Sequence, residues 1–427
     1  MSIVTPLPQR LYANPSHVVI RHFQIEDDAR ELSPSMRKRV ERIVSMVQAM
    51  DSRSIAAELG LVYKDFETRH RQIEDFFNTR FHMIVKLLKL KEHAFSDNER
   101  ALIGAYFSSE YSYQAAALMN PSIVKHPNQS DIDKGDVRFL MSLRAVGEGH
   151  ISSITFREGV FKADGSIDLE DESSFSVGAE HQINADGTVT LQCEAGHNIR
   201  ETVLFPVTEM QRNGLEDLRL VAFNDDDQET VYYGTYTAYS GSAIASEMLV
   251  TKDFHEFKMM SLSGSAARNK GMALFPRKIN GSYAMIGRQD NVNIYLIYSD
   301  DLLNWNEGTH IAGPEYPWEL MQIGNCGSPI ELDEGWLLLT HGVGPMRQYG
   351  IGAMLLDKDD PSIVLGRSHV PLLSPNDAER EGYVPNVVYT CGAIIHNDML
   401  FLPYGVADSA VSFATVSIAS LLDTLKK

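Results

Sequence analysis

The chain has 427 residues, 44% hydrophobic and 22% charged, which is the composition of an ordinary globular protein and excludes a disordered or fibrous one. Its 38 Lys and Arg against 57 Asp and Glu leave a formal net charge of −19, which argues against nucleic acid or an anionic membrane as partner and restricts phosphate binding to a local cluster of cations. No run approaches the ~20 apolar residues of a membrane span. The three scattered cysteines, Cys193, Cys326 and Cys391, supply neither a disulfide framework nor a metal-ligand spacing.

In chain order, "MSIVTPLPQRLYANPSHVVIRHF" has no basic segment leading into an apolar one. No secretory signal is therefore expected, and a cytoplasmic location is. Residues from about 33 to 118 carry helical patterning. Ser33 is placed as an N-cap with Pro34 at the first helical position, and Ile73, Phe77, Phe81, Ile84 and Leu88 recur at helical spacing. Ser96 and Glu99 form a capping-box pattern. These stripes are expected to be core, or a surface through which copies of the chain form a homo-oligomer. Residues 1–118 are accordingly expected to be one segment, mostly helical from about 33.

From Asn120 onward the texture changes to short strands broken by Asn, Asp and Gly. "LRLVAFNDDDQETVYYGTY", "ALFPRKINGSYAMIGR", "SPIELDEGWLLLTHG" and "GAIIHNDMLFLPYG" each place an apolar strand, a turn and a second strand in succession. Their turns fall near Asp226, Gly281, Gly335 and Asp398, roughly every 55 to 63 residues. The linking stretches "VTKDFHEF" and "YSDDLLNW" match each other, and "RFLMSLRAVGEGHISSITFREG" is a looser first copy. The fold class expected is mainly β, a five-bladed β-propeller over 119–427 with an N-terminal α-helical segment. The acidic run at 224–229 lacks alternating calcium-loop spacing and is expected to be a solvated turn. With no glycine-rich nucleotide loop after a strand, no cofactor and no metal are expected.

A propeller gathers distant residues around one axis. Asp217, in "GLEDLRL", enters an inner strand, while Arg144, Arg288, His341 and Asp408 fall at comparable strand ends and Lys270 precedes "GMALFP". This set suits glycosidic cleavage, in which a carboxylic acid protonates the leaving oxygen; beside Glu216 in an apolar strand, Asp217 is expected to have a raised pKa. Attack by water needs a second carboxylate about 6.5–9.5 Å away, for which Glu247, Asp290 and Glu319 are candidates. Attack by phosphate needs cations and donors instead, for which Lys270, Arg288, His341 and Tyr349 are placed.

"RFLMSLRA", "GLEDLRL", "GMALFPRKINGSYAMIGR", "SDDLLNW", "GSPIELDEGWLLLTHGV", "YGIGAMLLDKDDPSIVLGR", "EREGYVPNVVYTCGAI" and "LPYGVAD" together resemble glycoside hydrolase family 130, in order over about 119–427. The helical N-terminus resembles a subgroup that includes phosphorylases of β-1,2-oligomannans. The resemblance implies five-bladed propellers and inverting mannoside phosphorylases, with some mannosidases. It makes Asp217 the proton donor, with Leu218 where the family motif has proline. It places Asp408 on the sugar and Lys270, Arg288, His341 and Tyr349 on phosphate. Gly287 and Gly350 stand where many members have His and Arg. Arg144, Arg219, Tyr239, Asn386 and Asp408 are the residues expected to bind a β-mannoside oligosaccharide, with inorganic phosphate as co-substrate. Two alternatives stand beside the phosphorylase: a hydrolase of the same substrate, and a sugar-binding propeller without catalysis, in which Asp217 lies far from Arg144 and Asp408.

Overall fold

A computed structural model describes residues 3–23, 25, 31–193, 196, 198–224 and 229–425. The chain divides into two compact units, one of Ser16–Ser112 with Ser173–Val177, the other of Met1–Pro15, Tyr113–Glu172 and Gly178–Lys427.

The smaller unit is built on helices α1 (Pro34–Gln48), α2 (Ser52–Phe66), α3 (Ile73–Leu88) and α4 (Asp97–Tyr106). The expected start signals act as such. The Met36 N–H donates to Ser33 Oγ at 3.3 Å, and Ser96 and Glu99 form a complete capping box. Ile73, Phe77, Phe81, Ile84 and Leu88 are all buried along α3. Arg80, fully buried among them, donates to the carbonyls of Phe107 at 3.0 Å and Ile25 at 2.7 Å. It thereby serves backbone acceptors that helices cannot reach. Strands Val18–His22 and Ser108–Ser112 pair antiparallel in the same unit.

The larger unit is mainly β, in five antiparallel modules. The first contains Ala117–Lys125, Val137–Val146, Ser152–Phe161 and Ile167–Leu169. The second contains Gly214–Phe223, Val231–Tyr239, Ile244–Thr251 and Glu256–Ser261, extended by Val189–Gln192 and Glu180–Ile183. These two join in one sheet where Gly214 pairs with Ser152. The third runs from Ala273–Leu274 to Thr309–Ala312, and the fourth from Gln322–Asn325 to Val364–Arg367. The fifth contains Val388–Tyr389, Ile394–His396, Met399–Val406 and Ala410–Ser417, and is completed by Val4–Tyr12 from the start of the chain. The leading strand of the first module touches both Gly214–Phe223 and Met399–Val406, so the fifth module adjoins the first. Helix α5 (Ile418–Leu425) packs its buried Leu421 and Leu425 on the fourth and fifth modules.

The repeat seen in the sequence has a physical basis at its turns and links. Asn397 and Asp398 are both left-handed (φ 50° and 57°) between the paired His396 and Met399, the two-residue turn that matches strand twist. In the two linking stretches Asp253 accepts from the His255 N–H at 2.8 Å and Asp301 from the Leu303 N–H at 2.9 Å. Each then sends an aromatic, Phe257 or Trp305, fully into the core. The turn expected near Asp226, and 225–228 of the acidic run at 224–229, lie outside the described residues. Among the described residues no helix is long and apolar enough to cross a membrane.

Candidate active site

The pairing of Gly214–Phe223 with its neighbour slips between Glu216 and Arg219, and Asp217, inside the slip, is left-handed at φ 56°. Such a bulge re-aims one side chain out of the strand's alternation. The leading strand of the first module repeats the device: its register slips between Met119 and Ser122, and Asn120 is left-handed at φ 50°. The two bulged residues meet, with Asn120 Nδ2 donating to Asp217 Oδ1 at 2.6 Å. Leu218, where the family motif has proline, is buried against Gly234, whose missing side chain makes the room; a Cβ there would lie 2.6 Å from Leu218 Cδ1.

Cations surround this acid pair. Arg144, from the end of Val137–Val146, donates to Asp217 Oδ1 at 3.2 Å through Nη1 and to Glu216 Oε1 at 2.6 Å through Nη2. Lys270 Nζ takes the other oxygen of Glu216 at 2.6 Å. Arg219 is buried and spans three modules. Its Nε donates to the Cys326 carbonyl at 2.8 Å, its Nη2 to Tyr389 Oη at 2.8 Å and its Nη1 to the Asp217 carbonyl at 3.1 Å. These bonds fix the backbone that carries the acid.

The charge state differs from the sequence expectation. Burial alone would raise the Asp217 carboxyl, but Arg144, Arg219, Lys270 and the Asn120 amide outweigh it and hold the group well below the usual carboxylate range. The raised carboxyl is Asp408. Burial and the neighbouring Asp217 charge bring it up to about 6, against the pull of Arg144 and Arg347. Two carboxylates that both face Arg144 have been pushed apart in acidity, the pattern of paired acid and base sites.

Arg288, at the end of Tyr283–Gly287, and His341, in Trp336–Val343, lie with Nη1 and Nε2 3.4 Å apart. They pack against bare backbone at Gly324, where a Cβ would sit 2.3 Å from Arg288 Cδ and 2.6 Å from His341 Cε1. Burial, with Arg288 and Arg219 nearby, pushes the His341 imidazole well below its ordinary value, so it is neutral at pH 7. Its ring stacks on Tyr349 at 6.0 Å and meets Tyr389 edge-on at 5.0 Å. Burial and Arg219 also lower the Arg288 guanidinium, with Tyr389, Tyr349 and Asp217 opposing. Among the described residues no carboxylate forms an ion pair with Arg288.

Of the other expected residues, Asn386 is left-handed at φ 63° and its carbonyl accepts from the Tyr349 N–H at 2.9 Å. Tyr239, at the end of its strand, turns its hydroxyl onto the Gly241 carbonyl at 3.0 Å. The three candidate bases are engaged in other hydrogen bonds. Glu247 accepts from Gln211 Nε2 and Tyr236 Oη, both at 2.6 Å. Asp290 caps the Val292 and Asn293 N–H groups, and Glu319 binds Arg367 and the Glu315 N–H. Residues that sequence reasoning missed are Asn120, Tyr389 and Arg347. A signal existed for Asn120, since Pro121 inside a strand marks a bulge.

The sequence profile described as beta-1,4-mannooligosaccharide phosphorylase matches residues 166–427. A beta-1,2-mannobiose phosphorylase of Listeria innocua is 35% identical over 232 residues, covering 52% of this chain and 63% of that protein, somewhat under two thirds of its length. A 1,2-beta-oligomannan phosphorylase of Thermoanaerobacter sp. is 34% identical over 220 residues, covering 50% of this chain and 72% of that one. The solved structure of a Listeria innocua beta-1,2-mannobiose phosphorylase with beta-1,2-mannobiose superposes with a TM-score of 0.50 at 25% identity, over 73% of this chain and 92% of that one. With most of its β unit inside the profile, the chain belongs to glycoside hydrolase family 130.

Proposed function

We propose that the chain is an inverting phosphorylase of β-1,2-linked mannosides, which transfers a mannosyl unit to inorganic phosphate and releases α-mannose 1-phosphate with a shortened acceptor. The observation that carries this reading is Arg288, a partly buried guanidinium without a carboxylate partner among the described residues, beside His341 and Tyr349 and within the field of Asp217. An unpaired cation withdrawn even partly from water is costly, and a bound anion relieves that cost. A phosphate dianion there needs no general base, which fits the engagement of Glu247, Asp290 and Glu319 in other bonds. The names of the relatives support the same substrate class.

In this mechanism Arg288 and Tyr349 hold the phosphate, with neutral His341 as a donor to one of its oxygens and Lys270 as a point charge at the edge. Asp217 supplies the proton to the leaving oxygen, directly or through a sugar hydroxyl. It is ionised while Arg144, Arg219 and Lys270 face it alone. The arriving dianion adds negative charge beside those cations and raises the acid's proton affinity, so phosphate both attacks and arms the acid. Arg144 and Asp408 hold the mannosyl unit, Tyr239 offers a ring face at its strand end, and Asn386 orients Tyr349. Arg219 serves by fixing the strand of the acid. The non-catalytic alternative required Asp217 to stand apart from Arg144, and the 3.2 Å bond between them removes that premise.

We also infer that the five modules are blades of a five-bladed propeller. The successive contacts between modules, the return of the fifth to the first, and the reach of Arg219 to Cys326 and Tyr389 all support it. The test of function is product analysis on β-1,2-mannobiose with and without inorganic phosphate. Mannose 1-phosphate formed only with phosphate, and lost with a raised phosphate KM in Arg288→Ala, is the expected result. Free mannose released at the same rate without phosphate would overturn it.

A further inference from the structure

The loops that follow the second strands of the first and fourth modules have one conformation. In 147–151, Gly147 is extended (φ −101°, ψ −163°), and Gly149 and His150 are left-handed at 68° and 59°. In 344–348, Gly344 is extended at φ −103° and ψ −163°, and Met346 and Arg347 are left-handed at 57° and 55°. The same bond spans each loop, from the Gly147 N–H to the Ile151 carbonyl at 3.0 Å and from the Gly344 N–H to the Gln348 carbonyl at 2.9 Å. A left-handed non-glycine residue costs on the order of 1 kcal/mol and persists where its surroundings impose it, often at a ligand site.

His150 is thereby directed to Tyr383. Its Nδ1 lies 3.1 Å from Tyr383 Oη, and the rings are 6.0 Å apart at 33°. Tyr383 is 49% exposed, yet its backbone is fixed: its N–H donates to Ser409 Oγ at 2.6 Å, and the Val384 N–H donates to the Ala407 carbonyl at 2.9 Å. Those anchors flank Asp408. At the other end, His150 lies six residues beyond Arg144, the cation that binds Asp217. An open aromatic face with a polar edge is therefore held against the turn that carries Asp408 and beside the loop that follows the strand of Arg144. None of the catalytic roles above uses it.

We propose that the His150–Tyr383 pair is a sugar subsite for a mannosyl unit beyond the two that flank the scissile bond, and that it sets the preference for longer acceptors. The C–H face of a hexose packs on an aromatic ring, and the tyrosine hydroxyl and imidazole meet its equatorial hydroxyls. This inference rests on the mannoside reading above. It predicts that the wild type has a higher kcat/KM for β-1,2-mannotriose and mannotetraose than for mannobiose. In Tyr383→Ala the ratio of tetraose to biose falls about tenfold, the scale of one aromatic contact of ~1.4 kcal/mol. In Tyr383→Phe and His150→Ala it falls less. Calorimetric binding of the same oligosaccharides to an Asp217→Asn background shows the same length dependence whichever nucleophile the enzyme uses. A ratio unchanged in Tyr383→Ala, or an equal loss at every length, overturns the subsite. Length-dependent binding without any sugar phosphate product overturns phosphorolysis and leaves the subsite standing.

Discussion

Asp217 and Asp408 both face Arg144 but carry opposite stability signs. Asp408 is raised from an ordinary 3.8 to about 6, so the native state binds its proton more tightly than the unfolded chain does. Its contribution is complete below about pH 4 and is lost as pH rises through 6, which leaves an ionised, strained carboxylate at pH 8. Asp408→Asn is therefore expected to stabilise the protein at pH 8 by about 1–3 kcal/mol, to lose that gain at pH 4, and to lose activity. Asp217 is lowered, so its contribution is present above about pH 4 and is lost as pH falls toward its native value. Asp217→Asn should destabilise at pH 8 and lower turnover by about 10²–10⁴-fold. Urea titrations of both variants at the two pH values check the signs, and two variants of like sign at pH 8 would refute the charge assignment. The place of Asp217 in a mostly buried strand was legible in "GLEDLRL". The direction of its pKa was not, because Asn120, Arg144 and Lys270 arrive from distant strands and nothing local announces them.

Elements announce themselves through their ends and periods more readily than through their irregularities. Ser33 with Pro34 and Ser96 with Glu99 start helices as read, because capping is a local bond between residues three apart. The bulges that aim Asn120 and Asp217 are tertiary: a slip in pairing exists only once the partner strand is placed. The contact of α4 with α3 is equally invisible in sequence. A Cβ on Gly104 would lie 2.0 Å from the Phe77 carbonyl oxygen, backbone that has no rotamer by which to yield. Gly104→Ala is accordingly expected to lose at least the ~1–3 kcal/mol of an overpacked core, despite the better helix propensity of alanine. Calorimetry would show a lower unfolding temperature for the helical unit. A stabilised variant would mean that the two helices do not approach as closely as described.

At the scale of the whole molecule, the spacing of turns near Gly281, Gly335 and Asp398 made repetition legible, but not how the last module is completed. Val4–Tyr12 pairs with Ala410–Ser417, some 400 residues away, through Val4 opposite Val416 and Tyr12 opposite Ala410. A nine-residue strand with proline at two positions carries no mark of so remote a partner. Its removal has definite consequences. The edge of Ala410–Ser417 loses its backbone partners, and buried Glu379 loses Arg10, 3.3 Å away, keeping the Tyr404 hydroxyl at 3.1 Å. Deleting residues 1–13 should therefore loosen the fifth module first. Amide exchange in 399–417 would accelerate, Asp408 would lose its fixed position, and activity would fall, while α1–α4 keep their protection as an internal control. Arg10→Ala, which removes the ion pair and spares the strand, should give a smaller effect confined to 376–380 and its neighbours. Unchanged protection across 410–417 in the deletion would show that the last module holds its edge without the N-terminal strand.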